Sequence, residues 1–200
     1  MKKLILLLAF AVSLPLFAQQ TKDDEQFIAH LKKDTRTDKN DRAVWNLLND
    51  FYEEALQSDA GELNRKTVEK MQKLYADKRA KNMQILNLFM AYNNHISQTA
   101  AQGKTPDSGL QVDLMLELEK EMADTYGKVP AIVRIYKAEA LVSNGQHKES
   151  ADVISAGLLE YPGSVPLKVY HFLETNDERL KTDLIKNHPD HWMVKQFGIR

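Results

Sequence analysis

The side chains of this 200-residue chain that could do chemistry are six histidines, 28 carboxylates and scattered hydroxyls, with no cysteine among them. The lack of Cys removes thiolate zinc sites, thiol nucleophiles, disulfides and a lipid-modified N-terminal Cys. The nearest thing to a metal-ligating pair is His188-Pro189-Asp190-His191. Pro189 keeps His188 out of helical geometry while His191 begins a new helix, so the two imidazoles do not share a face. The expected role of the segment is a turn leading into a helix, with Asp190 capping it and complementing its dipole. Glu117 and Glu121, like Asp50 and Glu54, are carboxylates spaced by four on one helix. Acid–base pairs of the glycosidase kind face each other across a cleft, whereas adjacent turns of one helix supply no second wall, so both pairs read as solvated faces. Nucleotide-binding glycine patterns, H-E-x-x-H, G-x-S-x-G, S-x-x-K and the EF-hand loop are absent from the sequence. No catalytic, cofactor-binding or metal-ligating residue is expected, and the reading is non-enzymatic.

Charge narrows the partners. The 27 basic and 28 acidic residues alternate in sign and leave a net charge of -1, so the basic footprint that nucleic acid or an anionic membrane surface requires is missing. Lys2 and Lys3, the apolar run Leu4–Leu16 and the small Ala18 before Gln19-Gln20 follow the order of a secretory signal peptide. The run is shorter than the roughly 20 residues of a membrane-spanning helix. Cleavage after Ala18 is expected, giving an exported protein, periplasmic or secreted, with no stable membrane span.

The elements that would position any site are helical. Residues 19–41 are polar apart from Phe27, Ile28 and Leu31, which predicts a short docking helix and then a linker over 34–40. From residue 42, Val44, Trp45, Leu48, Phe51, Tyr52, Ala55 and Leu56 recur at spacings of three and four, with Asp41 placed to cap the helix and Gly61 to end it. A second helix starts at Glu62 and carries Leu63, Val68, Met71, Leu74 and Tyr75. A third, centred on residues 83–96, is apolar on so many sides that it reads as the central helix. After a loop at 103–109, a fourth carries Met115, Leu118, Met122 and Tyr126 and stops at Gly127. Period-two alternation is nowhere sustained, so the fold class is all-α. Tyr75, Tyr92, Tyr126, Tyr136 and Tyr170 fall near apolar stripes and are expected to complete the core.

The second half echoes itself. Val129-Pro130 recurs as Val165-Pro166 at a spacing of 36 residues, and each Pro can occupy the first turn of a helix. A hairpin runs between them: 130–143, the turn Asn144-Gly145-Gln146, then 147–161. Gly145 at the turn, Pro162 seventeen residues on, small Ala138, Ser150 and Gly157, and large Leu141 and Ile154 make this hairpin resemble a tetratricopeptide repeat, TPR. Arg134 and Lys137 depart from the family pattern, and Pro189 follows Pro162 by only 27 residues. The resemblance is good over 130–162 and extends to 197, where 191–197 reads as a closing helix. It implies antiparallel hairpins stacked as a short TPR-like solenoid, with irregular helices over 42–127 and helix pairs over 130–197 of one domain, 42–200.

In that family the first helix of each pair lines a concave face, so the resemblance places Ile132, Ile135, Glu139 and Val142 on it. An apolar strip with one carboxylate suits an extended or helical peptide carrying a basic residue. The other placement of these side chains is against the fourth helix or the segment after Pro166. The functional expectation is a non-catalytic helical-repeat protein that binds an unspecified protein or peptide of the cell envelope, with no cofactor. The alternative is a small accessory or stress protein holding a small molecule in the bundle around Phe89, Tyr92 and Met122.

Overall fold

Residues 22–200 are described by the computed structural model; the expected signal peptide and its cleavage site lie outside them. Asp23, Asp24 and Glu25 favour the positive N-terminal end of α1, Lys22–Lys32. Its one apolar stripe puts Leu31 in the core and rests Phe27 and Ile28 against it. Residues 33–42 are non-helical but not loose, because Asn82 holds them. Its backbone N–H donates to the Arg36 carbonyl at 2.7 Å, its Oδ1 accepts from the Asp38 N–H at 2.8 Å, and its Nδ2 reaches the Asp38 and Asp41 carbonyls and the Tyr126 hydroxyl at 2.8–3.1 Å. Asn82 is buried with φ 59°, a left-handed conformation that Asn tolerates better than most residues.

The second helix, α2, spans Ala43–Phe51 and continues as a π segment, Tyr52–Gln57. Arg42 occupies the capping position expected of Asp41, while Asp41 Oδ1 accepts from the Ala43 N–H one residue further in. Helical structure stops at Ser58, ahead of Gly61. Gly61 has φ +65°, and a Cβ there would stand 2.6 Å from the Trp192 ring, so both backbone and space demand glycine. The third, α3 (Arg65–Ala76), begins three residues later than Glu62, where Asn64 accepts from the Lys66 N–H as its cap. Tyr75 lies on the exposed side of α3 rather than in the core; Tyr92, Tyr126 and Tyr136 are buried and Tyr170 partly so.

Two nineteen-residue helices follow, α4 (Met83–Ala101) and α5 (Ser108–Tyr126), joined through Asp107, whose side chain caps α5. Both wide apolar surfaces are used: α4 packs on α1, α2 and α5, and α5 on α6 (Ala131–Ser143). The chain then folds back on itself repeatedly as α7 (His147–Glu160), α8 (Val165–Thr175), α9 (Glu178–Asn187) and α10 (Trp192–Gln196), each of α7, α8 and α9 packing on its predecessor and α10 on α8. Pro130 immediately precedes α6, and Pro166 lies in the first turn of α8 behind the Ser164 cap. The result is an all-α arrangement of ten helices packed antiparallel against their neighbours, with no strand among the described residues.

A large core unites α1 to α6 with Ile154 of α7 and Leu167 of α8, and a smaller one gathers Val165, Val169, Leu184, Met193, Val194 and Ile199. The hairpin residues Ala138, Leu141, Ser150, Ile154 and Gly157 are all buried. A Cβ on Gly157 would meet Leu167 of α8 at 3.3 Å and the Arg134 Cβ of α6 at 3.4 Å, so this glycine permits a three-helix approach.

Candidate functional site

The four residues expected on an open face divide sharply. Ile132 and Ile135 are 0% exposed and belong to the same core cluster as Phe51 and Leu56, and α6 is packed by α5 and α7 as well as by α2 and the π segment. The chain fills this face itself, so these two isoleucines do not line an open groove. Val142, nearer the end of α6, is 44% exposed, and Glu139, one turn before it, is partly buried.

Glu139 accepts a hydrogen bond from the Tyr170 hydroxyl of α8. Burial pushes its carboxyl above the ordinary glutamate value, with the Tyr170 hydrogen bond opposing the push. Burial also raises Tyr170 and Tyr136, and the Glu139 charge adds to both. Beneath the pair an aromatic column runs inward, with Phe51–Phe89, Phe89–Tyr136 and Tyr136–Tyr92 centroids 5.4, 5.8 and 5.5 Å apart. Tyr92 donates its hydroxyl proton to the Tyr136 carbonyl at 3.2 Å. Phe89, Tyr92 and Met122, the trio expected around a small molecule, are buried to within 2% and pack within this core.

Three exposed apolar side chains neighbour the carboxylate–tyrosine pair. Val142 follows Glu139 by three residues, Leu173 follows Tyr170 by three and is 41% exposed, and Phe197, 40% exposed, sets its ring edge-on to Tyr170 at 6.3 Å. Residues three apart on a helix share a face, so α6, α8 and the C-terminal segment together present an apolar rim around a polar centre. Glu139 and Val142 are among the residues the sequence offers for binding; Tyr170 is expected in the core, Phe197 falls in the expected closing helix, and nothing in the sequence singles out Leu173.

The paired carboxylates are structural. Glu117 and Glu121 share Lys32 of α1, the second contact at 2.6 Å, and their side chains are largely shielded rather than solvated. Asp50 pairs with Lys70 at 2.6 Å, and Glu54 accepts from the Asn64 N–H and the Thr67 hydroxyl at 2.7 and 2.9 Å, fastening α3 to the π segment. An open groove of about 730 Å³ lies beside the Lys32 clamp, between α1 and α5, where Lys33 and Lys120 alternate with Glu25 and Asp113 and present no dominant charge. His188 and His191 form no pair: His191 is buried and is itself the cap of α10, the role expected of Asp190, which instead pairs with Lys195 at 2.9 Å. Among the described residues no group of three or more His, Asp or Glu could hold a metal ion, and no helix is long and apolar enough to cross a membrane.

Comparison with protein-family models, with curated proteins and with solved structures finds no match to this chain.

Proposed function

We propose that this is an exported, non-catalytic helical-repeat protein of TPR-like build that binds a protein or peptide of the cell envelope through the rim around Glu139 and Tyr170. The observation that carries the reading is a partly buried carboxylate, raised by its surroundings and ringed by exposed Val142, Leu173 and Phe197. Perturbed ionisable groups with exposed apolar neighbours concentrate at binding sites. A basic side chain of the partner would meet Glu139, and apolar side chains would cover the rim.

The TPR-like part of the proposal is supported by the buried small residues of the α6–α7 hairpin and by Gly157 between α6 and α8. The exported part rests on the order of residues 2–18 and is checked by the intact mass of protein recovered from the host envelope, expected to begin at Gln19. The binding part is tested by a photo-crosslinking residue placed at Val142 or Leu173 in living cells. A discrete crosslinked partner at both positions is expected, absent when the crosslinker stands at exposed Lys78 and abolished by Glu139→Lys. Crosslinks independent of position, or unaffected by Glu139→Lys, would move the site elsewhere.

A further inference from the structure

His191 is fully buried, and both of its ring nitrogens are engaged. Nε2 lies 2.9 Å from the Leu56 carbonyl, and Nδ1 lies 3.3 Å from the Met193 backbone nitrogen. A carbonyl only accepts and an amide N–H only donates, so Nε2 carries the proton and Nδ1 is bare. The neutral Nε2–H tautomer is the one protonation state that serves both partners.

This ring is at once the cap of α10 and the tie between α10 and the π segment. Besides this ring, α10 has five residues, packs on α8, contributes Met193 and Val194 to the smaller core and rests Trp192 against both cores. Trp192 lies over Gly61, and its Nε1 is buried with no hydrogen-bond partner in the protein, which weakens the docked state.

We propose that α10 is an acid-released latch: protonation of His191 turns its cap acceptor into a donor aimed at the Met193 N–H, freeing α10 from α8 and the π segment. Release takes Phe197 off Tyr170 and uncovers Val165 and Val169. Burial is the largest influence on the ring and lowers it below the ordinary histidine value; the hydrogen bond to Leu56 and the charge of Asp59 act against burial, while His188 reinforces it. On its own turn Asp190 is paired with Lys195, and on α8 Lys168 is paired with Asp183 at 2.6 Å. Because the docked state prefers the neutral ring, the latch is fully closed above the ordinary histidine range and weakens as pH falls through it. The inference is argued from the contacts of His191 and does not depend on the partner-binding proposal, although Phe197 belongs to both.

Hydrogen exchange of the full chain at pH 7.5, 6.5 and 5.5, expressed as protection factors, tests it. Amides 193–199 should lose up to about tenfold in protection per pH unit on the acid side, the limit for one linked proton, while those of α6 hold theirs. His191→Asn keeps a neutral cap acceptor for the Met193 N–H and should show lowered protection that no longer varies with pH; His188→Gln, which removes only a minor influence on the ring, should keep the acid slope. Flat wild-type protection over 193–199 overturns the latch without recourse to any variant. So does an equal acid loss in α6, which is unfolding of the whole molecule, or an unchanged acid slope in His191→Asn.

Discussion

Glu139 owes its raised carboxyl to burial, and the hydrogen bond from Tyr170 opposes that influence without cancelling it. The sign has a thermodynamic consequence. A carboxyl that holds its proton more tightly folded than unfolded contributes stability at low pH and loses it as pH rises through the folded value. At neutral pH the ionised Glu139 therefore works against the fold, although Tyr170 can donate equally well to a neutral amide oxygen. Glu139→Gln is expected to raise stability at pH 7 by roughly 0.5–2 kcal/mol, the usual yield of relieving such a site, and the gain should vanish near pH 3.5, where both side chains are neutral. Urea midpoints at the two pH values measure it. A variant less stable at pH 7 would mean that the charge is compensated within the fold and lacks the signature of a site held ready for a partner. At the same scale, Ile135→Glu should unfold the protein rather than merely abolish binding, since an unpaired charge at a fully buried position costs several kcal/mol; circular dichroism of the purified variant decides that.

The hairpin helices meet through small residues, and Gly157 stands where α6, α7 and α8 come together. Adding one methyl there presses on the flexible end of Leu167 and on the Arg134 Cβ, but removes the roughly 0.5–1 kcal/mol that a mid-helix glycine costs. Gly157→Ala should thus lie within about 0.5 kcal/mol of wild type, and Gly157→Leu should destabilise by roughly 1–3 kcal/mol through overpacking. An unchanged denaturation midpoint for the Leu variant would remove Gly157 from the contact. Element identity was readable in the sequence because helix signals are local. The apolar spacing of residues 44–56, the stop at Gly127 and the Asn144–Gln146 turn all follow from near neighbours. The rest depended on distant ones. Gly61 reads as a helix stop, yet the room for its side chain is taken by Trp192; Ile132 and Ile135 read as a possible face, yet both are fully buried in the large core. Likewise, nothing within one turn of Glu117 and Glu121 announces that Lys32, far away in sequence, will pair with both.

Across the whole molecule, one side chain joins the linker, the start of α2, the end of α5 and the entrance to α4. Asn82→Ala keeps the backbone tie to Arg36 but removes the side-chain anchors at Asp38 and Asp41, and it places Ala in a left-handed conformation it disfavours, so a loss of about 2–4 kcal/mol is expected from the orphaned backbone groups and strain. Trypsin should then cut the native protein at Lys33, Arg36 or Lys39 well before the rest of the chain. Resistance equal to wild type would show that α1 holds the linker by its own docking. The tie between His191 and Leu56 spans 135 residues, and it bears on how the molecule is made. Synthesis delivers the π segment long before the ring that closes on it, and α2 must likewise wait for α6. A chain that has emerged only as far as α3 therefore has Phe51 without Phe89 and the core residues of α4 to α6, and the tie at Leu56 stays open, the chain available to chaperones, until its last helix is complete.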